Sequence, residues 1–491
     1  MQPTTTTLTL PFSPQAFYTL MLLVALVLGS GVVFALLHRS HHKRPSVIER
    51  VRPFFQLDPL PLGVLFLGVL LWVVLFATLF VGLIYVIAEA VLTPHPDVVD
   101  DRWDFRFALA KLTAITAVIG ALIAFPFTVW RIRLTREQVK LNDTSLFNEK
   151  FSAAATGLTA RKQVTQIAQE GDSKTVLTEW ADDLVSRAIA IEQLEGLAKE
   201  RLAEAPRIAR ILSVYLAELS RDHPAQQPPE GGDAAELNEW AKNLKPRSDM
   251  EKAAQTMGRI RAISGVDLGE VGLDLRFCNL QGCDLENLNF DKAIMQGARL
   301  QAAQMRRTQM QGARLLDAQM QGADLTEAQM QGANLTGAQM QGANLWDAQM
   351  QGANLWDAQM QGADLMSAQM QGARLMRAQM QGADLTGAQM QGANLMRAQM
   401  QGAKLRQTEF DAETNFLGAD LSGAQIPSVD FSQTRISAEQ LNSAFGDGST
   451  ALPAGMARPA HWPQAELGWR GFYDEYNKWR ENPGAYAPPA P

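Results

Sequence analysis

The feature that most constrains this chain is a run written in fives. Residues 273–412 hold 28 consecutive pentapeptides, and AQMQGANLWDAQMQGANLWD at 338–357 shows the unit without gaps. First positions are small: Ala almost throughout, with Cys278, Cys283 and Thr408 on occasion. Third positions are large and apolar, as in Leu325, Met330, Leu335, Met340 and Leu345, whereas second, fourth and fifth positions are mostly polar. Small-in, polar-out, large-in is the period-two alternation of a strand, and breaking it once per five supplies a corner. So short a unit buries its apolar side only against copies of itself, which makes the segment a solenoid. A small residue beside a large one fills such an interior without voids.

The pattern resembles the pentapeptide-repeat family, written A-[DN]-L-x-x. The resemblance implies a right-handed β-helix of square cross-section with four pentapeptides per coil. On that geometry the run makes seven coils, a rod of about 34 Å at roughly 4.8 Å per stacked strand. Three further units, at 419–433, follow a six-residue interruption at 413–418. Units of type A-[DNRK]-L-x-x alternate with A-Q-M-Q-G, so opposite walls are expected to be alike, two filled by Leu and two by Met. Twelve of the 20 methionines occupy third positions, which makes them core filling rather than thioether metal ligands. Paired glutamines such as Gln349 and Gln351 are expected to stack on their own kind as amide ladders. Cys278 and Cys283 fall at consecutive first positions and are expected to be buried free thiols on adjoining walls.

Fourth positions point outward on this geometry, and residues 20 apart stack. One wall then shows Leu316, Thr336, Trp356, Met376 and Met396; the opposite wall shows Thr326, Trp346, Met366, Thr386 and Arg406. Trp346, Trp356, Met366, Met376 and Met396 are therefore the candidate interaction patch; the bland alternative is a local duplication of ANLWD. Family members that protect gyrase mimic DNA with an acidic rod. Residues 293–408 carry seven acids and nine bases, so DNA mimicry is a poor fit. The whole chain, with 44 Lys+Arg against 51 Asp+Glu and a net charge of −7, is not a basic nucleic-acid binder either.

Ahead of the repeat stand three uncharged apolar runs, at 16–37, 62–88 and 112–130. Each is long enough to cross a hydrocarbon core of about 30 Å as a helix. The first does not read as a signal peptide, because its flank lacks Lys and Arg and the run is too long. Arg39, Lys43, Arg44, Arg50 and Arg52 follow the first run, Asp97, Asp100, Asp101 and Asp104 precede the third, and Arg131, Arg133, Arg136 and Lys140 follow it. The positive-inside rule then places the N-terminus outside and everything after 131 in the cytoplasm. His38, His41 and His42 sit among those bases and read as a lipid-facing basic loop rather than a metal site. Glu89 and Lys111 lie just beyond the runs, near the outer interface.

Residues 132–221 show helical spacing at Leu177, Trp180, Leu184, Ala188, Ile191, Leu194 and Ala198, and again at Ile208, Leu212, Tyr215 and Leu219. Pro206 marks a helix start. An αα-hairpin is expected, with another helix around Leu146, Phe147 and Phe151, the whole spacing the rod from the bilayer or, alternatively, offering a docking surface. A linker at 222–234 precedes a helix at 235–265 that leads into a solenoid at 266–433. The tail, 434–491, carries a helix-like stretch at 437–446 and the aromatics Trp462, Trp469, Phe472, Tyr473, Tyr476 and Trp479. It either caps the rod's open edge or folds back on the helical region. Segments 133–158, 187–200, 250–263 and 438–462 resemble those of bacterial membrane-anchored pentapeptide-repeat proteins, which implies an architecture and a compartment, not a reaction.

The fold class expected is thus mixed: three N-terminal transmembrane helices, a helical region, and a C-terminal β-helix with a capping tail. No Ser/His/Asp set, phosphate loop or metal-spaced cluster occurs. The function expected is a non-enzymatic inner-membrane protein without metal or cofactor, displaying a cytoplasmic interaction scaffold for an unknown protein partner or for itself. The alternative is an accessory subunit of a membrane transporter or channel.

Overall fold

The computed structural model describes residues 19, 62–92, 101–170, 173–229, 234–269 and 272–489. The expected first span at 16–37 (Thr19 excepted), the basic segment after it, and Asp97 and Asp100 lie outside those residues. The chain divides into two units, Met1–Leu146 and Phe147–Pro491.

The first unit holds α1 (Leu62–Leu92) and most of α2 (Asp101–Gly157). Leu70–Ala88 has a mean hydropathy of 2.7, and Leu109–Gly157 contains a stretch of 2.1. Both helices are long and apolar enough to cross a membrane. Apolar residues such as Leu71, Phe107, Phe125 and Phe127 face outward. The hydroxyls of Thr78, Thr113, Thr116 and Thr128 each donate to the carbonyl four residues back, at 2.7–2.9 Å. That satisfies them within the helix.

The second unit begins with a departure from the expected run of helices. Strands β1 (Arg161–Glu170) and β2 (Ser173–Asp182) form an antiparallel hairpin with Arg161 opposite Asp182 and Glu170 opposite Ser173. Leu177 and Trp180 therefore belong to a strand. Their three- and four-residue spacing coincided with a helical period, while the β-branched Val164, Thr165, Ile167, Thr175, Val176 and Thr178 favoured extended chain. Gly171-Asp172 between the strands is a two-residue hairpin signature.

Helices α3 (Leu184–Glu200) and α4 (Ala205–Asp222) are the expected αα-hairpin, with Pro206 in the first turn of α4. The single helix expected at 235–265 is two, α5 (Ala234–Ala241) and α6 (Ser248–Ala262), separated by a stretch containing Pro246. Ile191, Leu194, Ile208, Leu212, Leu216, Met257 and Ile260 are fully buried and continue without a break into the interior of the rod.

The bundle closes the rod's first coil. Ser220 Oγ accepts the Asn279 backbone N–H at 2.8 Å, Glu251 Oε1 accepts that of Asp284 at 2.7 Å, and Gln281 exchanges two bonds with the Gln226 backbone at 2.8 Å. These groups would otherwise form an open sheet edge. Gly258 makes the approach possible: a Cβ there would stand 2.9 Å from that of Leu288.

In the rod each second-position residue bridges its counterpart 20 residues on, in parallel, from Asp274 with Ile294 to Gln389 with Glu409. The coil thus holds four pentapeptides. Third positions alternate as expected: Leu315, Leu325, Leu335 and Leu345 on two walls, Met320, Met330, Met340 and Met350 on the other two, all fully buried. From Asn394 with Asn415 the spacing becomes 21. The expected six-residue interruption is hence a single inserted residue. Asp411 absorbs the insertion by accepting Thr414 and Glu413 N–H groups at 2.9 and 3.1 Å, and Thr414 and Phe416 then fill ordinary inward positions. Threonine fits a first position because its hydroxyl donates to a carbonyl one coil below, as Thr308 does to Leu285 and Thr408 to Leu385, both at 2.9 Å.

The tail closes the other end. Trp462 is buried and donates Nε1–H to Ala444 O at 2.9 Å. Phe445 sits among Phe472, Tyr476 and Trp479, and Tyr476 donates to Gly423 O at 2.9 Å. Helix α7 (Ala438–Ser443) holds Gln440 against the Phe416 and Ala419 carbonyls at 2.6 and 2.9 Å, and α8 (Trp469–Glu481) carries the aromatic face. Of the two alternatives for the tail, the structure shows the cap; Trp469 and Tyr473 remain exposed.

Candidate interaction surface

Each outward corner is made by the fourth and fifth residues of a unit. The fifth adopts the left-handed region from Phe277 to Gln407, with φ of 65° at Gly352 and 54° at Asp347. A-Q-M-Q-G units meet this with glycine, whereas the Leu-wall units often spend a side chain there, at a backbone cost of about 1–2 kcal/mol that Asp and Asn lessen. The second position fixes the corner from the other side. Asn344 Oδ1 accepts the N–H of Trp346 at 3.1 Å, Asn354 that of Trp356 at 3.3 Å, Asp364 that of Met366 at 3.0 Å and Asn394 that of Met396 at 3.1 Å. This explains the Asn/Asp preference: a short carboxamide or carboxylate reaches the N–H two residues on.

The corners stack directly. Asp357 N donates to Met376 O, Arg377 N to Met396 O and Arg397 N to Leu417 O, at 2.9–3.0 Å. The ridge of Leu316, Thr336, Trp356, Met376 and Met396 is thereby continuous and gains Leu417, 68% exposed. On the diagonally opposite corner Asp347 N donates to Met366 O at 2.9 Å, joining Trp346 and Met366. Trp346 and Trp356 are 45% and 43% exposed, while Met366, Met376 and Met396 are half-buried. The five candidate residues thus form two ridges on opposite corners rather than one patch. Leu417 was missed because the insertion before it was taken as six residues. Phe277, 60% exposed at the foot of the first ridge and flat against Gly297, was missed because it occupies a fifth position.

Between the ridges the Met walls carry glutamine ladders, but not like upon like. Gln331 Nε2 donates to Gln349 Oε1 and Gln351 Nε2 to Gln369 Oε1, at 2.6 and 2.7 Å, from a fourth position to the second position of the next coil. The ladder is diagonal because the two glutamines of one unit point to different parts of the wall, and the near neighbour lies 18 residues on. These walls are tied internally and uniform.

The inward thiols are chemically quiet. Cys278 and Cys283 are buried and unpaired with each other; burial pushes the Cys278 thiol up to about 12 and raises that of Cys283 as well. At the cap, Asp249 lies fully buried between Arg247, Tyr215 and Arg187, at 2.6, 3.0 and 3.3 Å. Burial works to raise its pKa, but the guanidinium of Arg247 and the Tyr215 hydroxyl hold it below the ordinary carboxylate value. Burial, and then the same carboxylate, push the Tyr215 phenol up. These groups are paired with one another.

Residues 271–411 match the family described as Pentapeptide repeats, in eight copies over 271–307, 303–342, 343–378 and 373–411. The repeat segment is a pentapeptide-repeat domain. Among solved structures, HetL, a pentapeptide repeat protein involved in heterocyst differentiation regulation from the cyanobacterium Nostoc, is 26% identical. The match covers 43% of this chain and 92% of HetL, with a TM-score of 0.20. QnrB1, a plasmid-mediated fluoroquinolone resistance protein, is 15% identical over 42% of this chain and 95% of its own, with a TM-score of 0.27. A pentapeptide repeat protein of the Arabidopsis thaliana thylakoid lumen is 29% identical over 23% of this chain and 66% of its own, with a TM-score of 0.10. No curated protein is significantly similar in sequence.

Proposed function

We propose that this is a non-enzymatic scaffold of the bacterial inner membrane. Three helices anchor it, with the N-terminus outside, and its β-helix is displayed in the cytoplasm for protein contact. The observation that carries this reading is the pair of apolar ridges. Outward side chains repeat from coil to coil along a rigid rod instead of converging on a pocket, and tryptophans half exposed over methionines suit a contact surface. The two apolar helices and the charge of the segments around them support the anchor.

The test is photo-crosslinking in intact membranes, with the reactive group at 346 or at 356 of the full chain. Specific adducts at these positions, absent with the group at 341 on a glutamine corner, are the expected result. Changing Trp346, Trp356, Met376 and Met396 to Ser should abolish the adducts while leaving thermal unfolding of the rod nearly unchanged. Absence of any specific adduct at either ridge would overturn the reading.

A further inference from the structure

The four walls are not equivalent in charge. Number them by their second positions: the first wall runs from Asp274 to Asn415, the third, opposite it, from Asp284 to Gln425. On the first wall, Asp274 is neutralised by Arg276 at 2.6 Å, and Arg314 and Arg374 stand exposed without an ion pair among the described residues. The third wall presents Asp324, Asp364 and Asp384; Lys404 and Arg306 offset two of them, at 3.0 and 3.9 Å, and Asp364 has no cationic partner among the described residues. The second and fourth walls carry the internally bonded glutamine ladders. A free positive face thus backs onto a free negative one, and the apolar ridges border both.

We infer that the first wall of one rod docks on the third wall of a second copy, side by side and in the same direction. The inference rests on reading the rod as an interaction scaffold and names its partner. Bridging fixes the heights: residues ten apart lie half a coil apart, about 2.4 Å. A neighbour shifted sideways without axial slip sets Arg374 between the partner's Asp364 and the partner's Asp384, and Arg314 half a coil below the partner's Asp324. Asn334 and Asn354 then meet the partner's Asn344. Both corner ridges flank the contact. The ridge bearing Trp356 lies over the neighbour's Gln–Gly corner, where no side chain at the fifth position obstructs an indole.

Charge also selects against the alternatives. A two-fold axis along the rod would place Arg314 on Arg314 and Arg374 on Arg374, or acid on acid for the third wall, and like charges across a contact are repulsive. Joining unlike faces is a heterologous contact, which does not close on two copies, so the assembly is an open row.

The experiment uses the full chain in membranes, with a short bis-maleimide. The native thiols are 1% exposed and do not compete. Asn354→Cys alone and Asn344→Cys alone should each stay monomeric. Co-expressed, they should give dimers; both in one chain should give a ladder of multiples. Arg374→Glu should reduce the ladder at least tenfold, adding Asp364→Lys should restore it, and high salt should weaken it. Homodimers of Asn354→Cys alone, or no ladder from the double variant, would overturn the inference. If the ladder is absent while position 346 or 356 still traps a different protein, the scaffold reading stands and self-association falls. Absence of both removes both.

Discussion

The rod and the helical cap at its base share one continuous apolar interior, yet they are held in opposite ways. The rod repeats one solution. Ala, Leu and Met fill every middle layer, fully buried, and no charged side chain enters there. The cap uses a single-copy arrangement in which Asp182, Arg187, Tyr215, Arg247 and Asp249 meet from the hairpin, α3, α4 and α6. Arg187 reaches Asp182 at 2.5 Å and Asp249 at 3.3 Å with a side chain only 7% exposed. Dispersion summed over many equivalent contacts tolerates local change; a buried charge cluster does not, because every partner depends on the others. The difference teaches that a solenoid still needs one irreplaceable plug.

The sharpest way to break this contrast is Asp249→Ala. It leaves Arg187 and Arg247 sharing the single carboxylate of Asp182, two guanidinium groups under cover for one acid, so a loss of about 3–5 kcal/mol is expected. Chemical denaturation of the full chain measures it. The same cluster makes the cap sensitive to acid. Asp249 and Asp182 both titrate below their ordinary value in the folded state, despite burial acting the other way, because Arg247 and Arg187 favour the ionised form. Their contribution is complete above the ordinary carboxylate pKa of 3.8 and is lost as pH falls through the lower folded values. Hydrogen exchange at decreasing pH should show α3, α4 and α6 opening before the middle coils. Simultaneous opening would mean that the cluster is not what holds the cap.

The corresponding test in the rod is Leu355→Ala, expected to cost about 3 kcal/mol. Leu355 is fully buried in a middle coil, and coils above and below cannot collapse into the cavity without breaking bridges. A loss well under 1 kcal/mol would show that the rod relaxes more than stacked strands should.

Next in size are two glycines that do different work. Gly352 has φ of 65° and open space where a Cβ would go, whereas Gly258 is an ordinary helical residue whose Cβ would stand 2.9 Å from that of Leu288. Gly352→Ala should cost about 1–2 kcal/mol from the backbone alone. Gly258→Ala should cost about 1–3 kcal/mol from overpacking. Only the second should be relieved by Leu288→Gly, which removes the Cβ it would meet, read as a favourable coupling in thermal unfolding of the double variants.

The same division decides what could be read from the residues alone. The five-residue period, the inward small and large positions, the four-unit coil and the alternating Leu and Met walls are properties of a repeated pattern, and each recurs often enough to be seen. The insertion was misjudged because Asp411 shifts the frame, so Thr414 and Phe416 looked out of place though both fill standard positions. The hairpin was overlooked because Leu177 and Trp180 continue the spacing of α3 by chance. The charge cluster left no motif at all: its members lie as much as 67 positions apart, between Asp182 and Asp249, and only the packing of four elements joins them. The ridges were legible by counting in twenties, until the count changed to 21 before Leu417.

The smallest effect bears on why the rod keeps separate Leu and Met walls. Exchanging Leu355→Met and Met350→Leu within one coil conserves volume, and such swaps usually cost under about 1.5 kcal/mol. If walls were specified only by volume, the paired exchange would cost almost nothing, and the alternation would merely record duplication of a ten-residue unit. The interior suggests more. Leu walls stand opposite one another, as do Met walls, so each layer pairs branched with branched and flexible with flexible. A branched leucine entering a Met wall meets neighbours in the coils above and below that were placed around unbranched chains. The paired exchange should therefore cost measurably more than Leu355→Met alone, because methionine adapts to a leucine site more readily than leucine to a methionine site. Equal costs for the single and paired variants, in matched denaturation curves, would reduce the Leu and Met walls to interchangeable filling.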